Sequence, residues 1–488
     1  MNLTVELLVI GFGTAGKLVA AGMGNRGARV VMVERDDRMY GGTCINTGCV
    51  PTKSLVHLAE TRSADSDPDE WFRSSALRTK HLTSLLRRNN LARLEAIDTV
   101  TIVNGRATFR DAHTVVVTAG AEATTITAET IVIDTGAEPV LPDIPGLRDC
   151  THAYTSTGLL DTTELPTRLG IIGGGPIGAE FASLYGQFGS SVTIVEHEES
   201  MFGHEDPDVA AGALDVLRDA GVTIHTGATV TGLVDHADHA VIHYTHADVT
   251  CSVEAEAVLV AVGRAPNTFG LGLEAAGVHT DARGAITVDA HLRTSQPHIY
   301  AVGDVNGGPQ FTYISHDDSR IVLDHLTGSG TRSTTDRAAV PYTVFLTPPL
   351  ARVGCTEQQA RHAGRRVTTA AARIDELAGM PRSAIMGDTR GLMKFVIDDD
   401  TDEILGAALL CIDSSELINL VALAIRHHLT ASELANTIYT HPTSSEAIGE
   451  VLSRRRQSGP AGPGRPHNGA LSSQPQATES KELSWRSQ

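Results

Sequence analysis

The sequence lacks three features that mark membrane, nucleic-acid-binding and secreted disulfide-rich proteins. No apolar run reaches the roughly 18 residues that a membrane-spanning helix needs. Lys and Arg total 39 against 58 Asp and Glu, and the net charge of −19 repels phosphate backbones and anionic lipid. Only six cysteines occur in 488 residues, and most are widely scattered. We therefore expect a cytoplasmic protein with no nucleic-acid or membrane partner.

The start of the chain has the pattern of a dinucleotide-binding unit. An apolar strand leads into the glycine turn at residues 11–16, a helix of small residues follows, and the next strand ends at Glu34. Gly11 permits a tight turn, and Gly13 lets the backbone approach a pyrophosphate at the helix N-terminus. Gly16 lets the helix pack closely on the strand. Glu34 can then accept hydrogen bonds from a ribose.

The same pattern recurs about 160 residues later. A strand at residues 169–172 leads into the turn that contains Gly173, Gly175 and Gly178, and the following strand ends at Glu196. Two such units indicate two nucleotide cofactors bound by one chain. The Glu196 carboxylate accepts from a 2′-hydroxyl and repels a 2′-phosphate, and no Arg follows it closely, so NADH is favoured over NADPH.

The remaining segments differ in composition. Residues 61–90 have a helical pattern, residues 100–133 resemble a β-meander, and residues 222–262 alternate as strands do. From about Val340 there is no glycine fingerprint, which indicates a third domain. From about Ser453 the chain is rich in Gly, Pro, Ser and Gln, so we expect a solvated, disordered tail.

Cys44 and Cys49 are the only closely spaced cysteines. Their C-x₄-C spacing at a helix start would bring the two thiols onto nearly one face, where an easily reduced disulfide can close. The helix N-terminus and Lys53 favour thiolates, the reactive form. A zinc site would need two further ligands, and His57 is the only one nearby in the sequence.

The segment from Gly41 to Lys53 resembles the active-site motif of the class I, FAD-dependent pyridine nucleotide-disulfide oxidoreductases. This family includes dihydrolipoyl dehydrogenase, glutathione reductase and mercuric reductase. Residues 135–137 and the pair Gly303-Asp304 look like its two flavin-domain signatures, and residues 441–446 resemble its C-terminal catalytic segment. The resemblance extends over nearly the whole chain to Val451.

The resemblance implies an α/β protein with two Rossmann-like dinucleotide-binding domains and an α+β C-terminal dimerisation domain. Residues 1–150 would form the first part of the FAD-binding domain and 151–284 the NAD-binding domain. Residues 285–338 would return to the FAD-binding domain, 339–452 would form the dimerisation domain, and 453–488 the tail.

The resemblance also implies roles for the site residues. Cys49 would be the thiolate against the flavin, Cys44 would attack substrate, and Lys53 would pair with Glu180 beside the flavin. A His and its orienting carboxylate would come from the partner subunit of a homodimer and act as the base; in this sequence they are His441 and Glu446. The expected cofactor ligands, with no metal ligand among them, are Gly11, Gly13, Gly16, Glu34, Thr43, Gly136, Gly303 and Asp304 for FAD, and Gly173, Gly175, Gly178, Glu196 and Gly263 for NAD.

Members of this family differ in the electron acceptor that they reduce. Residues 309–313 resemble the mercuric reductase version of their segment, whereas His441 resembles the disulfide reductases, and no cysteine follows Cys411. Residues 39–44, 310–315 and 347–350 resemble segments of the bacterial flavoprotein reductases linked to reactive-chlorine resistance. We therefore expect reduction of a small disulfide or an oxidised metal ion by NADH in oxidative-stress defence. The alternatives are a dihydrolipoyl dehydrogenase, a mercuric reductase and a flavin redox sensor without turnover.

Overall fold

A computed structural model describes residues 1–455, and its first part is a mostly parallel sheet flanked by helices. Strand β1 is buried on both faces from Leu7 to Ile10, as the central strand of a parallel sheet must be. The strand order is β3-β2-β1-β6-β5-β4. The elements are β1 (Asn2–Ile10), α1 (Thr14–Gly24), β2 (Val30–Glu34), α2 (Thr43–Asn46), α3 (Cys49–Glu60), α4 (Pro68–Glu95), β3 (Val100–Asn104), β4 (Arg106–Phe109), β5 (Thr114–Ala119), β6 (Glu122–Ile133) and β7 (Ala137–Pro139).

Two expectations for this part need correction. The meander predicted for residues 100–133 begins only at β4, because β3 follows the helical crossover α4 and pairs parallel with β2. The helix predicted for residues 61–90 begins at Pro68 instead. There the Asp67 carboxylate accepts from the backbone N–H of Glu70, at 2.9 Å, and Pro68 occupies the first turn.

The second part repeats the architecture. A parallel sheet has the order β11-β10-β9-β15-β8, and an antiparallel meander of β12, β13 and β14 lies beside it. The elements are β8 (Ala153–Thr155), α5 (Ser156–Leu160), β9 (Arg168–Ile172), α6 (Pro176–Phe188), β10 (Ser191–Val195), α7 (Pro207–Asp219), β11 (Thr223–His225), β12 (Ala228–Asp235), β13 (Ala240–His246), β14 (Val249–Ala255), β15 (Ala257–Val260), β16 (Arg264–Pro266) and α8 (Leu273–Ala276).

The chain then returns to the first sheet. Strand β17 (Ile299–Ala301) pairs parallel with β6, and helix α9 (Thr312–Thr327) packs against α1. Strand β17 ends at Ala301, two residues before Gly303. Gly303, with a positive φ of 68°, begins a 3₁₀ turn that extends to Asn306. Asp304 therefore lies just beyond the carboxyl end of β17.

The C-terminal part is an antiparallel sheet of order β18-β19-β22-β21-β20, with α12 and α14 packed on it. Its core contains Phe395, Leu409 and Val421. The elements are β18 (Tyr342–Val344), β19 (Leu350–Gly354), α10 (Glu357–His362), β20 (Val367–Arg373), α11 (Pro381–Met386), β21 (Leu392–Asp398), β22 (Ile404–Leu410), α12 (Ser414–Arg426), α13 (Ala431–Ala435) and α14 (Glu446–Ser453).

The tail predicted from Ser453 begins slightly too early. Helix α14 extends to Ser453, and Arg454 pairs with Glu450 across one helical turn. Arg455 pairs with Asp402 at 2.6 Å. The rest of the predicted tail lies outside the described residues.

The architecture confirms the predicted fold class, an α/β protein with two Rossmann-like units and an α+β C-terminal domain. Within residues 1–455, no helix combines the length and apolar character needed to cross a membrane.

Candidate active site

A cleft of about 1310 Å³ opens at the carboxyl ends of the parallel strands and receives residues from all three parts of the chain. This is where open α/β sheets bind their ligands. The predicted site residues that line it are Gly11, Gly13, Glu34, Thr43, Cys44, Cys49, Lys53, Gly136, Glu180, Gly263 and Asp304.

The two nucleotide units carry their acidic residues in matching geometry. Glu34 accepts a hydrogen bond from the backbone N–H of Phe12 at 2.9 Å, and Glu196 accepts one from the backbone N–H of Gly174. Each glutamate also accepts from the backbone N–H two positions further along, at 3.2 Å and 2.7 Å respectively. Burial raises the pKa of Glu34. Both carboxylates are thus fixed beside their glycine turns.

The two glycine turns fit a dinucleotide because the first is packed too closely for a side chain and the second borders open space. A Cβ on Gly13 would lie 2.5 Å from the Asp134 carboxylate, which already accepts from the backbone N–H of Gly16 at 2.6 Å. A Cβ on Gly175 or Gly263 would meet nothing within 4 Å, so both positions border open space. The residues present therefore fit FAD at the first turn and a nicotinamide nucleotide at the second.

Asp304 fits the same interpretation at the flavin side of the cleft. Within residues 1–455 its carboxylate receives no hydrogen bond that would occupy it, although it borders the cleft. Burial raises its pKa, and the positive charge of Arg264 opposes that shift. A partly buried acceptor without a donor is suited to the hydroxyl groups of a bound cofactor.

The two cysteines lie on separate short helices, which corrects the expectation of one shared helix. Cys44 is in α2, Cys49 begins α3, and Thr47 and Gly48 interrupt the helical backbone between them. The two thiols nevertheless influence each other, and the interaction with Cys44 is the largest cause that lowers the pKa of Cys49, to about 6. The interaction with Cys49, together with burial, raises the pKa of Cys44. These shifts favour the thiolate at Cys49 and the thiol at Cys44 in the reduced pair.

Other groups around Cys49 add to this asymmetry. The Thr312 hydroxyl lies 3.6 Å from the Cys49 sulfur, at the N-terminal end of α9, and the Lys53 charge also lowers the Cys49 pKa. Burial acts in the opposite direction. The contact with Thr312 had no signal in the local sequence, because 263 residues separate the two positions.

Lys53 and Glu180 form a tight pair at the cleft. Their charged atoms lie 2.6 Å apart, and the other Glu180 oxygen accepts from the backbone N–H of Phe345 at 2.9 Å. The Lys53 ammonium also lies over the Phe345 ring, 4.6 Å from its centroid. Phe345 is a second residue that sequence reasoning missed, and it joins the C-terminal domain to this pair.

His441 and Glu446 are adjacent but are not among the residues that line the cleft. His441 Nδ1 lies 2.8 Å from a Glu446 oxygen, and the other oxygen accepts from the backbone N–H of Thr443 at 2.8 Å. These contacts, that of Thr443 first, lower the pKa of Glu446. The His441 side chain is 70% exposed on the C-terminal domain.

Comparison with known proteins agrees with this geometry. The family described as pyridine nucleotide-disulphide oxidoreductase matches residues 5–319, and the dimerisation domain of the same family matches residues 340–452. The chain belongs to the pyridine nucleotide-disulphide oxidoreductases. It is therefore an oxidoreductase of a family that uses FAD and NAD(P)H, as the sequence predicted.

Several members of the pyridine nucleotide-disulphide oxidoreductases are similar along almost their whole length. A protein described as a probable pyridine nucleotide-disulfide oxidoreductase, RclA of Escherichia coli (strain K12), is 43% identical over 92% of this chain and 98% of its own. A mercuric reductase of Streptomyces lividans is 34% identical over 91% and 94%. A dihydrolipoyl dehydrogenase of Geobacillus stearothermophilus is 33% identical over 91% and 95%.

The fold is also similar to a solved member of the family. The structure described as the Cu(II) complex of HOCl-induced flavoprotein disulfide reductase RclA from Escherichia coli matches with a TM-score of 0.88 and 42% identity. The match covers 93% of this chain and 99% of that one.

Proposed function

We propose that this oxidoreductase passes electrons from NADH, through FAD, to the Cys44-Cys49 pair and then to a small disulfide or an oxidised metal ion. The observation that carries the proposal is the pair of thiols with opposite pKa shifts in a cleft that the first glycine turn, Gly263 and Asp304 also line. FAD, when bound, supplies the two-electron centre between the nicotinamide and the disulfide.

The protein side chains divide the work of the thiol pair. Cys49, a thiolate held by Cys44, Thr312 and Lys53, faces the cleft. Cys44 keeps its proton, so its attack on a disulfide requires a base. Lys53, fixed by Glu180, places a positive charge beside the thiolate.

We assign the base to His441 of the partner subunit in a homodimer. Glu446 occupies Nδ1 of His441, which leaves Nε2 to accept a proton. The exposure of His441, its position outside the cleft of its own chain and the match to a dimerisation domain support this assignment. The same proposal keeps residues 1–150 and 285–338 as the FAD-binding domain, 151–284 as the NAD-binding domain and 339–452 as the dimerisation domain.

NADH is the preferred reductant in this proposal. Glu196 lies beside the second glycine turn, and Glu198 and Glu199 follow it closely, so these carboxylates would repel a 2′-phosphate.

The proposal includes a cytoplasmic location, because a cysteine pair that cycles through the dithiol belongs in a reducing compartment.

The relatives support a role in oxidative-stress defence. The structurally similar RclA is described as HOCl-induced and as a disulfide reductase, and it has been solved with Cu(II). Mercuric reductases, which act on a metal ion, and dihydrolipoyl dehydrogenases share 32–34% identity with this chain. A disulfide and a metal ion are therefore the two acceptor classes to compare.

The experiment is NADH oxidation by the purified holoenzyme with a panel of small disulfides and with Hg²⁺ and Cu²⁺. His441→Ala should lower disulfide turnover by about 10²–10⁴-fold, the usual contribution of a general base. His427→Ala changes another exposed histidine of the same domain and is the matched control. Metal-ion turnover that persists in His441→Ala would identify a metal-ion reductase. A flavin that NADH does not bleach would contradict the proposal and favour a sensor.

A further inference from the structure

A second group of potential metal ligands lies outside the cleft. Cys150 and His152 flank one residue in the turn that leads into β8, and Asp235 ends β12 on the neighbouring meander. The three ligand atoms, a thiol sulfur, an imidazole nitrogen and a carboxylate oxygen, all lie within 4.8 Å of one another. None of these residues lines the cofactor cleft or takes part in the chemistry described above.

We propose that Cys150, His152 and Asp235 bind one divalent cation of the zinc class. A thiolate, an imidazole and a carboxylate are all zinc ligands, and a site with three protein ligands leaves a fourth position for water. The His152 and Asp235 side chains are 16% and 28% exposed, which provides an entry route from solvent. Cys150 is buried beneath them.

The distances require only small adjustments. One Asp235 oxygen, Oδ1, lies 3.2 Å from the Cys150 sulfur and 2.7 Å from His152 Nδ1. Zinc–ligand bonds of about 2.0–2.3 Å in a tetrahedron place neighbouring ligand atoms about 3.3–3.7 Å apart. The imidazole and carboxylate would thus separate by less than about 1 Å, and the thiolate and carboxylate by less. The thiolate and imidazole, which lie within 4.8 Å of each other, would approach by up to about 1.3 Å, and side-chain rotation can supply all three changes.

The residue between the two turn ligands orients the carboxylate. The second Asp235 oxygen, Oδ2, accepts from the backbone N–H of Thr151 at 3.0 Å and from its hydroxyl at 2.9 Å. Oδ1 is therefore directed at both Cys150 and His152. Hydrogen-bonded carboxylates of this kind are a regular feature around protein metal sites, where they fix the ligand geometry.

Binding exchanges a proton for the metal. The Cys150 thiol now donates to Asp235, and the metal would replace that proton, so that a sulfur–metal bond forms and one proton is released to solvent. The His152–Asp235 hydrogen bond breaks as both atoms turn to the cation, and the single proton of the neutral imidazole moves from Nδ1 to Nε2, which leaves the Nδ1 lone pair for the metal. No electrons are transferred.

The simpler alternative is a polar brace in which Asp235 only ties the turn at residues 150–152 to the meander. Both interpretations use the same contacts, but only the first predicts metal uptake that depends on the imidazole and the thiol. His152→Gln keeps a side-chain donor for Asp235 and removes the imidazole. It therefore leaves the brace available while it removes one ligand.

The test measures zinc binding by equilibrium dialysis of chelator-treated, air-oxidised holoenzyme. In this form the Cys44-Cys49 disulfide should not compete for metal, and a Cys44→Ser/Cys49→Ser variant gives the same measurement if the disulfide does not form. We expect one zinc per chain, with affinity lowered at least tenfold in Cys150→Ser and in His152→Gln. Cys355→Ser, which removes a partly buried thiol elsewhere, should bind as the unmodified protein does.

A cobalt titration of the same proteins reports the ligands directly. Co²⁺ bound through Cys150 should give d–d bands at wavelengths beyond the oxidised flavin absorption, and these should be absent from Cys150→Ser. Flavin content and thermal unfolding would show that each variant is folded. No zinc retained above the Cys150→Ser level, or equal retention by the unmodified protein and His152→Gln, would overturn the proposal and leave the polar brace.

Discussion

Replacing Thr312 with Val should raise the pKa of Cys49 and reduce its thiolate fraction near neutral pH. The Thr312 hydroxyl lies 3.6 Å from the Cys49 sulfur. A hydrogen bond to a charged group contributes about 1.5–3 kcal/mol, and the long distance and the exposure of Cys49 reduce this to about 1 kcal/mol. At 1.36 kcal/mol per pKa unit, the shift is about 0.7 unit.

The starting pKa of Cys49 is about 6, so the variant should titrate near about 6.7. At pH 6.5 the thiolate fraction then falls from about 75% to about 40%, and the alkylation rate falls about twofold. The pKa of Cys49 is lowered in the folded protein, so the thiolate is lost as pH falls through that value. At pH 9 both proteins should react at similar rates.

The assay reduces the holoenzyme anaerobically, follows iodoacetamide labelling from pH 5 to 9, and assigns the label to Cys49 by mass spectrometry. Thr47→Val is the matched control, because Thr47 lines the same cleft and, within the described residues, its hydroxyl bonds neither thiol. An unchanged midpoint in Thr312→Val, or an equal shift in Thr47→Val, would refute the reasoning.

Three further changes have defined outcomes. Gly13→Ala places a Cβ 2.5 Å from the Asp134 carboxylate, so the purified variant should hold well under one FAD per chain; full occupancy measured by absorbance would contradict this. Glu196→Gln removes the carboxylate beside the second glycine turn and should raise kcat/KM for NADPH relative to NADH about tenfold; an unchanged ratio would exclude Glu196 as the selector. Arg337→Met leaves the buried Asp318 without its ion pair and should lower the free energy of unfolding in urea by about 3–5 kcal/mol. An unchanged unfolding midpoint would show that this ion pair does not contribute to stability.

The local parts of the fold were predictable because their signals are short. Each glycine turn follows an apolar strand and precedes a helix within about 30 residues. Because the tight turn between them requires glycine, the sequence pattern alone identifies the unit. Strand β3 was misplaced because an apolar, β-branched run shows only that a strand exists. Its partner depends on the crossover helix α4, which brings it beside β2.

The site contacts that escaped prediction connect distant parts of the chain. Phe345 contacts Lys53 and Glu180 only because β18 brings the C-terminal domain against the cleft. Asp235 reaches Cys150 across 85 residues, between the end of one strand and a turn of the neighbouring sheet. Such contacts depend on how the sheets pack, and no local spacing records them.

The central claim is that electrons from NADH reach the Cys44-Cys49 pair. The most direct measurement adds one equivalent of NADH to the oxidised holoenzyme without oxygen, alkylates the new thiols and maps them by mass spectrometry. We expect two new thiols per chain, at Cys44 and Cys49, with Cys49 labelled faster at pH 6.5 because it is the thiolate. Flavin reduction without new thiols, or labelling that appears instead at Cys150, Cys251 or Cys355, would contradict the claim.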